Sequence, residues 1–112
     1  MASLNQNTFS LAFALSNING AFNERTVTGA GNILATDNIV YVNNTSGAAI
    51  ALPLPATPAT NQFLIIKDIT GNADTYNVTV TGTVDGVTNP VIGANYGGVG
   101  LFWTGSKWTE VF

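Results

Sequence analysis

The chain has 112 residues, enough for one domain with a modest core, and only 8% of them are charged, against about 25% in an ordinary soluble domain. Net charge is −3, with Arg25, Lys67 and Lys107 the only basic side chains, which argues against both a phosphate-neutralising nucleic-acid surface and a basic membrane-surface stripe. Cys and His are absent, so disulfides, thiolate metal sites and the commonest general base are excluded.

The missing charge is replaced by Asn, Thr, Gly and Ala. These enter a subunit interface at lower desolvation cost than Lys or Glu. A chain so poor in charge also repels its own copies weakly. The composition points to a surface largely covered by partner subunits; a low-charge monomer is the alternative.

Residues 1–32 read as an Asn-rich arm. Leu11, Leu15, Ile18 and Phe22 recur at helical spacing, while Phe9, Leu11, Phe13 and Leu15 alternate as in a strand. Asn17, Asn19 and Gly20 oppose a long helix, so the expectation is an extended arm with a short helix. Phe9 to Leu15 is short, Asn-flanked and preceded by no Lys or Arg, unlike a signal peptide. No stretch reaches the roughly 20 apolar residues of a membrane span.

From residue 33 onward the signals are those of strands. Ile39-Val40-Tyr41-Val42 is a β-branched run that ends in the turn cluster Asn43-Asn44-Thr45-Ser46-Gly47. Ala48 to Leu54 alternates weakly and stops at Pro53 and Pro55. Phe63 to Ile66 is continuous enough for a central strand, and Asp68 to Asp74 reads as a turn. Tyr76, Val78 and Val80 alternate with Asn77, Thr79 and Thr81. Val84-Asp85-Gly86-Val87 is a tight turn with short flanks, and Val91-Ile92 a short strand. Gly97–Trp103 and Lys107–Phe112 form a terminal hairpin around Thr104-Gly105-Ser106. Many short strands at close spacing predict an all-β fold: a small β-sandwich or jelly-roll-like knob over residues 33–112, with the N-terminal arm before it.

Few residues invite chemistry. The acids Glu24, Asp37, Asp68, Asp74, Asp85 and Glu110 sit mostly at turns and strand ends, where Asp satisfies the local backbone. Without His, a hydroxyl nucleophile would have only Lys67 or Lys107 as its base. Asp68, Asn72 and Asp74 share a turn with oxygen ligands, but they lack the density and closing Glu of an EF-hand loop. Gly97-Gly98-Val99-Gly100 has no Walker lysine after it; strand glycines instead admit a large ring or another backbone. Tyr41, Tyr76, Tyr96, Trp103 and Trp108 could form a sugar platform, although a hairpin Trp is more often core or a cross-strand pair. The sequons at Asn43, Asn44 and Asn77 read as features of an Asn- and Thr-rich β protein. The expectation is no enzyme, no cofactor and no metal.

Several segments, in order, resemble a β module of tailed-bacteriophage virion proteins. They are Asp37-Asn38-Ile39-Val40-Tyr41-Val42-Asn43-Asn44-Thr45-Ser46-Gly47, then Ile50-Ala51-Leu52-Pro53, and Phe63-Leu64-Ile65-Ile66-Lys67-Asp68 with Thr70-Gly71-Asn72-Ala73. Asn77-Val78-Thr79-Val80, Val84-Asp85-Gly86 and Gly105-Ser106-Lys107-Trp108 follow. The resemblance spans residues 36–112. It implies a structural, generally trimeric module of tail fibres, tail spikes or capsid-bound proteins. The chain lacks the long shaft of a fibre, which favours a capsid decoration (cement) protein. Such a protein, made in the host cytoplasm and placed on the outer capsid surface of the virion, would bind the major capsid protein as a homotrimer and stabilise the shell. The apolar arm residues Leu4, Phe9, Leu11, Phe13, Leu15, Ile18 and Phe22 are the expected partner contacts, each worth about 1.5–3 kcal/mol when fully buried, before ordering costs. The alternatives are a short tail-fibre or tail component, or a carbohydrate-binding module.

Overall fold

The computed structural model describes residues 22–112, and among them every regular element is a strand. The strands are β1 (Glu24–Val27), β2 (Ile39–Val42), β3 (Ile50–Pro53), β4 (Phe63–Asp68) and β5 (Val78–Thr81). They continue with β6 (Thr83–Val84), β7 (Val87–Thr88), β8 (Val91–Ile92), β9 (Gly98–Trp103) and β10 (Trp108–Glu110). The all-β class read from the sequence is what forms. A larger sheet runs β1-β2-β4-β9-β10-β6-β7, and a smaller sheet runs β3-β5-β8.

Alternation creates the core. In β4, Leu64, Ile66 and Asp68 point inward while Phe63, Ile65 and Lys67 are half-buried on the other face. Val40 and Val42 of β2 and Leu101 of β9 line the same inner face. Opposite them, Ile50 and Leu52 of β3, Val78 and Val80 of β5 and Ile92 of β8 are all buried. Ile33, Ala73, Val84 and Trp108 complete one apolar cluster.

The chain winds rather than meanders. β1, β2 and β4 are neighbours in the larger sheet and run parallel, as do β3 and β5 in the smaller. Before β2, Gly31 and Ile33 donate their amides to Ala51 and Pro53 of β3. Within the segment read as an arm, residues 24–27 thus pair in the larger sheet and Gly31, with Ile33 just after the arm, bonds to the smaller. The chain then repeats that crossing through β2–β3 and β4–β5. β9 closes the larger sheet antiparallel to β4, and the β9–β10 hairpin returns as expected. At the β6–β7 turn, Asp85 and Gly86 both have positive φ, 50° and 80°, the pattern of a two-residue hairpin loop.

Polar networks hold the two ends of the sandwich. At one end the Asp68 carboxylate, fully buried, accepts amide protons from Thr70, Gly71, Ala73 and Tyr96 at 2.9–3.1 Å. Nearby, Thr70 Oγ1 donates to Asn43 Oδ1 and Asn72 Nδ2 donates to the Asn44 carbonyl. At the other end Arg25 clamps the buried Asp37 with two bonds, of 3.0 and 2.6 Å. Buried Gln62 donates to the carbonyls of Leu34 and Asp37, and Asn38 Nδ2 to that of Phe63.

Burial by itself would push the Asp68 carboxyl up, but the four amide donors outweigh it and leave its pKa below the ordinary 3.8. A folded-state value below the unfolded one contributes stability above about pH 4 that is lost as pH falls through the folded value. Asp68→Asn turns an NH₂ group toward these donors and should cost about 3 kcal/mol at pH 7 in urea unfolding. The variant should also lose less further stability than the parent between about pH 4 and pH 2. Deleting residues 1–32 removes β1 and strips Arg25 from Asp37, whereas deleting residues 1–21 leaves both in place. The longer deletion should therefore be less stable than the shorter by about 3 kcal/mol in urea unfolding.

Candidate functional site

A two-layer sheet domain in water normally turns polar side chains outward. Here the outer face of the larger sheet carries a run of apolar residues. Ile39 and Ile65 stand side by side in register, as do Phe63 and Phe102. Phe112, half exposed, lies 5.9 Å from the Phe63 ring, centroid to centroid. These residues come from β2, β4, β9 and the C-terminal end, so one face gathers side chains 73 positions apart in the sequence, from Ile39 to Phe112.

Glycine makes the aromatic placement possible. A Cβ at Gly100 would stand 2.5 Å from the Phe112 ring. The tail is fixed there by its backbone, with the Gly100 amide donating to the Phe112 carbonyl at 2.7 Å and the Val111 amide to the Gly100 carbonyl at 2.8 Å. Tyr96 lies against Gly71 in the same way, 2.3 Å from where a Cβ would be, and Lys67 Nζ donates to the Tyr96 carbonyl. The glycine-rich run read as a place for close approach by a ring thus seats Phe112.

The arm residues Leu4, Phe9, Leu11, Phe13, Leu15 and Ile18 lie outside the described residues, as does the short helix expected among them. Phe22 is described and half-buried, two residues before β1.

The other candidates have local partners. Trp108 is buried in the core and Trp103 stands opposite it in register, ring centroids 5.6 Å apart. Tyr41 donates its hydroxyl to Glu24 at 2.6 Å, which raises the Tyr41 pKa. Tyr96 is 59% exposed beside Gly71. The residues considered as a sugar platform are thus divided between core and surface.

The acids are spread in the same way. Asp37 is held by Arg25. Asp85 accepts from the Thr109 hydroxyl and the Glu110 amide, and these bonds lower its pKa. Asp68 faces four amide donors, which occupy the lone pairs that a cation would need. Asn72 Oδ1 is buried without a donor, while its Nδ2 bonds Asn44. Among the described residues no three His, Cys, Asp or Glu side chains converge as a metal site would require. The Asn44-Thr45-Ser46 sequon is built into the fold: Asn44 is buried, donating to the Ala48 carbonyl and accepting from Ser46.

The sequence reading missed the outer face. Its one trace is the continuous run Phe63–Ile66, which predicts a central strand. The strand is central, but its second face is half-buried rather than covered.

Compared with models of known protein families and with curated proteins, the chain matches none.

Core and rim positions should separate the two tryptophans. Trp108→Ala should cost about 3–5 kcal/mol in urea unfolding, and Trp103→Ala clearly less. Titration with mono- and disaccharides should leave the Trp108 fluorescence of the Trp103→Phe variant unchanged.

Proposed function

We propose that this protein is a structural component of a tailed-bacteriophage virion: a capsid decoration protein that binds the outer capsid surface as a homotrimer and stabilises the shell. The observation that carries the reading is the apolar outer face formed by Ile39, Phe63, Ile65, Phe102 and Phe112. Four of these side chains are half-buried and Phe112 is exposed, and an apolar patch left open to solvent supports a contact with another macromolecule. The low charge of the chain favours burial against protein rather than nucleic acid. The ordered resemblance across residues 36–112 supplies the virion context.

The mechanism is passive. A rigid two-sheet knob bridges neighbouring capsid subunits, and the free energy of burying its apolar surface is added to the shell. Leu4, Phe9, Leu11, Phe13, Leu15, Ile18 and Phe22 give the N-terminal segment an anchor of the same kind. No bond is made or broken, so the activity is binding alone, with the major capsid protein as the partner.

Sedimentation and capsid co-pelleting test this together. The full chain should sediment at three times its 11.6 kDa mass and pellet with expanded tailed-phage capsids stripped of decoration protein. The double variant Phe63→Asp, Ile65→Asp changes only the outer face of β4. It should weaken self-association or capsid retention at least tenfold, with its circular dichroism spectrum unchanged. A full chain that stays monomeric and leaves capsids unbound would end the decoration reading and turn attention to glycan screening.

A further inference from the structure

The two sheets are unequal. The smaller ends at β8, while the larger continues past β9 through β10, β6 and β7. Where a further strand of the smaller sheet would lie, there is a cleft of about 240 Å³. Val80, Val84, Val91, Ile92, Val99 and Leu101 line it, and Glu110 is its one ionisable lining residue. Four of these apolar residues, Val80, Val84, Ile92 and Leu101, belong to the core, so the cleft opens onto the interior of the sandwich.

Among the described residues the β8 edge is open as well. The Val80 amide donates to the Pro90 carbonyl, so Val78 and Ile92 form the next hydrogen-bonded pair of this antiparallel ladder. Val91, between them, turns its N–H and C=O away from β5. Val91 is also 54% exposed. An edge with free backbone groups beside an apolar cleft is the arrangement that accepts an added strand.

We propose that residues 9–15 of the same chain occupy this cleft in the free protein, pairing with β8 as a fourth strand of the smaller sheet. Phe9, Leu11, Phe13 and Leu15 alternate with the small Ser10, Ala12 and Ala14, and residues 1–23 contain no charged side chain. One face of such a strand fills an apolar cleft, and the other presents small groups outward. The tether is long enough. β1 lies three strand spacings from β9, and with the gap between facing sheets the cleft is on the order of 20 Å from the entry at Phe22. The seven-residue step from Leu15 to Phe22 spans up to about 24 Å when extended. A tether this short also gives a high effective concentration at the cleft. The seating does not rest on the capsid reading; a capsid site that used these four side chains would compete with it.

Amide hydrogen exchange of the full chain, without capsids, tests the seating. The full-length double variant Leu11→Asp, Phe13→Asp is the reference. The Val91 and Gly93 amides should exchange at least tenfold faster in the variant than in the parent, while core amides such as Val40 and Leu64 remain unchanged. Equal rates at Val91 and Gly93 would overturn the proposal. A ¹⁵N-labelled sample of the variant is then mixed with unlabelled parent chain. Protection that stays absent supports seating within one chain. Protection that appears would overturn that seating and assign the cleft to the segment of a neighbouring copy.

Discussion

The Asp68 carboxylate is the constraint on which the winding depends. The four amides that it accepts come from the turn leading β4 toward β5 and from the turn between β8 and β9. Two crossings between the sheets are therefore tied to one buried charge. The β2–β3 crossing joins the same end through Asn43 and Asn44. A buried carboxylate is costly in an apolar interior unless its lone pairs are filled. Here backbone donors fill them, so the charge specifies the turns as well as being satisfied by them.

Asp37 does the corresponding work where the chain returns. Arg25 reaches it from β1, and Gln62 links the Asp37 and Leu34 carbonyls to the loop before β4. Between the two ends lies a core built almost wholly of aliphatic side chains, with Trp108 at its margin. A small domain has little apolar area to bury. Fastening the polar crossings at both ends spares that core from also having to define the loops.

The rigid inner core leaves surfaces elsewhere that are less complete. The outer face of the larger sheet is apolar, and the smaller sheet stops short of its partner and leaves the cleft beside β8. Both features fit the proposal that other polypeptide covers them. They differ in what they ask for: the flat outer face suits another folded surface, whereas the cleft and its open edge suit a single extended segment.

Local sequence determined the strands themselves. β-branched runs such as Ile39–Val42, the alternation through Tyr76–Thr81 and the Asp85-Gly86 turn all act within a few residues, so periodicity and turn chemistry reveal them. The Asp68 turn was legible as a turn satisfying its own backbone, for the same reason. Strand order was not legible, because parallel neighbours such as β2 and β4 are paired across 26 residues, Ile39 with Ile65, and no local pattern encodes that pairing. The Arg25–Asp37 clamp stayed hidden because it joins a segment that looked like an arm to a loop 12 residues away. The apolar outer face was hidden for a related reason. Ile39, Ile65, Phe102 and Phe112 are each unremarkable in the chain and become a surface only when β2, β4, β9 and the C-terminal end are laid side by side. Composition and short-range spacing determined that this is an all-β protein poor in charge; the long-range pairing of its strands decided where its apolar surface lies.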